Sequence, residues 1–132
     1  MEPIQWGSYM ELGLPAIDKQ HQALIQMINT LAQRLESEEL ESLPELIQSI
    51  VDYGQHHFQT EDAIFSDFDP DYFSWHQPQH HKYCRRINHL AQQFSIAQDK
   101  HACAQEILNF LYRWWVSHIT EVDLPMKSKL AK

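Results

Sequence analysis

The sequence predicts an all-α fold: an up-down-up-down antiparallel four-helix bundle with an extended N-terminal arm. Three observations carry that prediction. Apolar residues recur at alternating steps of three and four in four separate stretches, the seam pattern of packed helices. Short polar connections separate the stretches, which makes consecutive helices antiparallel neighbours. The 132 residues hold only 3 Gly, and their β-branched residues are not grouped at alternating spacing, so strands have no support. A chain of this length suits one domain, residues 1–132.

The arm covers residues 1–16, where Pro3, Gly7, Gly13 and Pro15 oppose long regular structure. Ile4, Trp6, Tyr9, Leu12 and Leu14 are suited to pack it onto the body. The first helix runs from about Ile17 to about Glu36 with the seam Ile17, His21, Leu24, Ile28, Leu31 and Leu35. An acidic connection follows to Ser42. Ser42-Leu43-Pro44-Glu45 has the capping-box pattern, with Pro tolerated in a first turn. The second helix extends to about Phe65 with the seam Ile47, Ile50, Gly54, His57, Glu61 and Ile64.

Asp67, Asp69 and Pro70 mark Ser66 to Phe73 as a loop, and Ser74-Trp75-His76-Gln77 is a second capping-box pattern. The third helix would run to about Ala97, with Pro78 in its opening turn and the seam His76, His80, Tyr83, Ile87, Leu90 and Phe94. After a short turn, the last helix runs from about His101 to about Glu121 with the seam Ala104, Ile107, Leu111, Trp114 and His118. The bundle thus spans 17–123, and Pro125 opens a tail of residues 124–132.

Composition narrows the function. The net charge of −8 comes without a basic stripe, so nucleic acid is not an expected partner. No apolar run approaches the length of a membrane span, and the first residues lack the basic and apolar parts of a secretory signal. Cys84 and Cys103 fit no metal spacing and read as reduced thiols; a cytoplasmic location is expected.

The unusual feature is 9 His in so short a chain. The first and third helices start at the end of the bundle where the second and fourth finish. His21, His57, Glu61, His76, His80, His118 and Asp123 therefore gather at one end of one core. A lone histidine in a seam is more often a satisfied core residue. Five at one level, with acids beside them, would burden the core by several kcal/mol if they had no partner. Imidazole and carboxylate without thiolate suit iron, manganese or zinc, and seven ligands suit two ions. His56, His81, His89 and His101 lie off the seams. By spacing alone Glu121 competes with Asp123, because a step of five rotates about 140° on a regular helix. Asp123 reaches the site only if the helix end loosens.

The residues resemble the hemerythrin family, specifically its single-domain bacterial branch, the bacteriohemerythrins. The matching elements are Trp6, Ile17-Asp18-Lys19-Gln20-His21, His57-Phe58-Gln59-Thr60-Glu61-Asp62, His76-Gln77-Pro78-Gln79-His80 with Tyr83, and Trp114 through Asp123. The hemerythrins are themselves a known instance of the up-down-up-down bundle, so fold and resemblance are not independent. The resemblance favours Asp123 over Glu121. It implies two non-haem iron ions with an oxo or hydroxo bridge, joined by Glu61 and Asp123. His76, His80 and His118 would hold the filled iron, and His21 and His57 the iron with an open position. It implies reversible O2 binding there, for carriage, storage, delivery or sensing, rather than enzymatic turnover. No motif identifies an oxygen-using enzyme or a signalling partner.

Phe58, Trp115 and Ile119 adjoin ligands and are candidates for the wall of the O2 pocket. Two departures from the family pattern stand out. Pro78 falls between two ligands, and Trp115 stands where leucine is common, so its larger ring would narrow the pocket. The competing reading is a di-iron oxidase, peroxidase or nitric oxide reductase, and a third is iron buffering. Ferritin-like di-iron enzymes use Glu-x-x-His pairs, and no Glu here has His three residues on.

Overall fold

In the computed structural model, residues 2–123 are described, with side chains through residue 120. The tail expected at 124–132 and the side chains of Glu121 and Asp123 lie outside the described residues. Four helices form the body: α1 (Pro15–Glu36), α2 (Leu43–Phe68), α3 (Pro70–Ile96) and α4 (Lys100–Ser117). No strand occurs among the described residues. α1 packs on α2 and α4, and α3 packs on the same two, which closes a ring of four.

The seams account for the core. All six seam positions of α1 and all six of α3 are buried. On α2, Phe65 is buried in place of the expected Ile64, and Val51 and Phe58 widen the stripe. On α4, Trp115 is fully buried while Trp114 is only partly so. A globular helix buries a stripe broader than a strict three-four seam, and such flanking positions fill it.

α1 starts at Pro15, inside the expected arm, and the largest departure from the expected boundaries is at the junction of α2 and α3. The loop expected at Ser66 to Phe73 is instead one residue, Asp69. Its side chain accepts the Tyr72 N–H at 3.1 Å, and Pro70 occupies the first helical position, where its missing N–H costs nothing. Ser74 is therefore inside α3, with its hydroxyl donating to the Pro70 carbonyl at 3.0 Å, and Pro78 is a true interior proline. Ser42 makes no side-chain cap, although Pro44 is placed in the first turn as expected. α4 starts at Lys100, where Asp99 accepts the Ala102 N–H at 3.0 Å.

The last helical residues, His118–Asp123, form a π-helical turn, the loosening that spacing required if residue 123 was to come round toward residue 118. The arm crosses this turn through its own 3-10 segment, Ser8–Met10. Ile4, Met10 and Leu12 are buried, but Tyr9, expected to anchor the arm, is exposed and folds back over Gly7. Polar contacts fix the arm as well. Asn29 accepts the Ile4 N–H at 2.8 Å and donates to the Ile4 carbonyl at 2.9 Å, while Asp18 accepts the Leu12 and Gly13 N–H groups.

Candidate metal centre

Two apolar layers bound the site. The main core extends from Leu35 and Leu43 up to Phe58, Trp115 and Ile119. A smaller cluster of Leu12, Ile17 and Phe65 closes the end of the bundle. Between them are His21, His57, Glu61, His76, His80 and His118, none more than 2 % exposed. Each comes from a seam position, so the same helix faces that bury the core carry these groups inward.

Glu61 organises the cluster. Its Oε2 faces α1 and its own helix: His21 Nε2 is 3.3 Å away and His57 Nε2 is also in direct contact. Its Oε1 faces α3 and α4, with Nε2 of His76, His80 and His118 each at 3.5 Å. One carboxylate thus divides five imidazoles into a pair and a trio. Two groups with converging ligand atoms result, Glu61 with His76, His80 and His118, and Glu61 with His21 and His57.

The electrostatics agree with a cation-binding role. Burial alone would raise the Glu61 carboxyl, but the His57 charge and the neighbouring imidazoles of His118 and His21 hold it well below the usual carboxylate range. Burial lowers His80, yet its bond to Asp62 and the nearby Glu61 leave it raised overall. Glu61 Oε1 and His80 Nε2 are buried without a hydrogen bond among the described residues. Such atoms are costly to leave unsatisfied. Within each of the two groups the ligand atoms lie within 4.8 Å of one another, close enough to converge on one ion. The residues present therefore fit a metal.

The far sides of the rings are also supported. His80 Nδ1 lies 3.0 Å from Asp62 Oδ1, and His57 Nδ1 lies 2.8 Å from Gln20 Oε1. The Gln20 amide donates in turn to Thr60 Oγ1 at 3.1 Å. With Oε1 accepting, His57 carries its proton on Nδ1 and turns the Nε2 lone pair inward. These supports were not legible from the seams, since Gln20, Thr60 and Asp62 lie beside seam residues rather than on them.

Comparison with known families points to a cation-binding domain as well. The family described as Hemerythrin HHE cation binding domain matches residues 12–130. The chain belongs to the hemerythrin family. A bacteriohemerythrin of Pseudomonas paraeruginosa is 28% identical over 123 residues, covering 93% of this chain and 78% of the relative. Bacteriohemerythrins of Stenotrophomonas maltophilia and Clostridium acetobutylicum are 26% and 24% identical, the latter match covering 94% of the relative.

Within this hemerythrin fold the three expected wall residues are buried. Phe58 stacks on His80, with centroids 3.9 Å apart and planes 14° apart, and on Trp115 at 5.4 Å. The Trp115 ring is 5.6 Å from His57, 5.8 Å from His118 and 6.5 Å from His21. Its Nε1 donates to the buried Tyr83 hydroxyl at 3.0 Å. Both rings pack beside Gly54, where a Cβ would make ordinary contact with Tyr83 Cε1 at 3.4 Å and Trp115 Cζ2 at 3.6 Å. Ile119 is 1 % exposed and belongs to the main core. His56, His81, His89 and His101 are all exposed, as their off-seam positions predicted. Cys84 and Cys103 are free thiols, both raised by burial.

Proposed function

We propose that the chain is a non-haem di-iron protein that binds O2 reversibly, and that it carries, stores, delivers or senses oxygen rather than turning it over. The observation that carries this reading is the division made by Glu61. His76, His80 and His118 would hold one iron, His21 and His57 the other, and Glu61 would bridge them. Asp123 is proposed as the second bridge: a turn closed by i to i+5 bonds stacks residues five apart, and His118–Asp123 has that form. The bacteriohemerythrin relatives support iron as the metal.

When bound, the iron pair supplies the electrons that reversible oxygen binding requires. The protein's part is orientation and exclusion. Gln20 and Asp62 fix two imidazoles with Nε2 inward. The pair has fewer imidazoles than the trio, so the open position belongs there. Phe58 and Trp115 place aromatic surface around His57, which keeps water and protons from the gas. The buried ligand set is rich in histidine and poor in carboxylate, which favours binding over oxygen activation. The proposed location is the cytoplasm. No described helix is long and apolar enough to cross a membrane.

Anaerobic loading with ferrous iron, followed by oxygen, tests the proposal. A visible charge-transfer band that forms with oxygen and vanishes on degassing is expected, at two irons per chain. Irreversible oxidation with turnover of an added substrate would transfer the assignment to an enzyme, and fewer than two irons would sink both. Glu61→Ala should lose both irons, whereas Glu121→Ala should keep them; the reverse would show that the bridging acid is misassigned.

A further inference from the structure

We propose that a groove between α3 and α4 binds a small planar anion of the reduced-flavin class and receives electrons from it through Trp114. The groove has a volume of about 360 Å³ and is lined by Gln79, Phe110, Arg113, Trp114, Ser117 and His118. That volume falls in the usual range for small-molecule sites. Its chemistry is mixed in a telling way. Phe110 and Trp114 are part-exposed aromatic rings suited to a flat conjugated ligand, and Arg113 is an exposed guanidinium suited to phosphate or carboxylate.

The one formally charged residue among the described residues lining the groove, Arg113, is basic. The chain carries −8 overall, and no lysine or arginine stands between Arg34 and Lys82. Yet α3 and α4 together hold Lys82, Arg85, Arg86, Lys100 and Arg113 against Asp71 and Glu106 alone. Glu106 is itself engaged by Arg86 at 3.6 Å. An anion is therefore drawn to this side of the molecule and repelled from the α1–α2 side.

The groove also touches the centre. His118, a proposed iron ligand, lines the groove itself, and Trp114 stacks on it with centroids 4.4 Å apart and planes 15° apart, which extends its conjugated surface toward a ligand in the groove. The fully buried Trp115 adjoins His57, His118 and His21, and its ring lies 5.0 Å from that of Trp114. In the proposed step one reduced flavin gives up two electrons and two protons and becomes oxidised flavin. Each of two ferric ions takes one electron and becomes ferrous, and the protons pass to solvent. This step rests on the di-iron reading; the binding site does not.

Flavin mononucleotide is the probe. Titration into metal-free protein should quench flavin fluorescence saturably, at one flavin per chain and below millimolar concentration. Arg113→Glu, a change at an exposed position, should weaken binding about tenfold or more. Riboflavin, which lacks the phosphate, should bind weakly and be insensitive to that change. In stopped flow, reduced flavin mononucleotide should reduce diferric wild-type protein at least tenfold faster than Trp114→Leu protein with equal iron content. Unsaturable quenching, or equal affinity in Arg113→Glu, overturns the site. Saturable binding with a reduction rate unaffected by Trp114→Leu overturns the electron route. A chain that holds no iron would sink the oxygen-binding reading but leave the metal-free titration as it is, so the two failures are separable.

Discussion

Asp62→Asn isolates the support behind one proposed ligand without touching the ligand itself. Asp62 Oδ1 is 3.0 Å from His80 Nδ1, and the carboxylate is 21% exposed. Hydrogen bonds to charged groups contribute about 1.5–3 kcal/mol. Loss of a support behind a ligating imidazole typically costs 10–100-fold in metal affinity, which is about 1.4–2.7 kcal/mol. Asparagine can still accept a neutral bond, so the lower part of that range is expected, about tenfold. Competition of iron-loaded protein with a chelator at pH 8 measures it.

A second readout of Asp62→Asn needs no metal. Burial lowers His80, but Asp62 and Glu61 raise it above its ordinary 6.5 on balance. A raised folded value adds stability that is fully present below the unfolded pKa and is lost as pH rises through the folded one. Asp62→Asn should therefore lower the urea midpoint of metal-free protein at pH 5.5 more than at pH 8.5. Equal losses at both values, or iron retention like that of wild type, would refute the reasoning.

Three further outcomes follow from the core and the arm. Tyr83→Phe removes the acceptor of the Trp115 indole N–H and leaves that donor buried, so urea unfolding should show a loss of about 1–3 kcal/mol. Gly54→Ala should be neutral or stabilising by up to about 1 kcal/mol, since the new methyl meets only ordinary contacts at 3.4–3.7 Å in a helix interior; a clear drop in midpoint would show that those rings cannot share the space. Asn29→Ala removes both bonds to Ile4 and should expose the arm to limited proteolysis well before the bundle is cut, a difference that mass mapping of the fragments would reveal.

The sequence made the bundle and six of the seven proposed ligands legible for one reason. His21, His57, Glu61, His76, His80 and His118 occupy positions whose direction is dictated by helix periodicity, so burial of the apolar neighbours carries them inward. Features that depend on a single turn were less legible. The capping-box pattern at Ser74 looked like a helix start, but Asp69 with Pro70 made a better one five residues earlier. Trp114 and Trp115 are adjacent, and only packing against Phe58 and Tyr83 decides which is fully buried. Gln20 and Asp62 lie one position from ligands, where periodicity says nothing about the reach of a flexible side chain. The π-helical turn at His118 was visible only as a mismatch of spacing, five residues where a regular helix wants four.

Glu61 and the five buried histidines lie toward one end of the bundle, between the small cap of Leu12, Ile17 and Phe65 and the long apolar core. The two halves of the axis therefore answer to different demands. The half around Leu31, Leu35, Leu43, Ile87, Phe94 and Ala104 is apolar throughout and can hold the helices in register by itself. The same division leaves the distant half free to drift in sequence, because a methyl gained or lost there changes how firmly the bundle stands and leaves the shape of the cage alone.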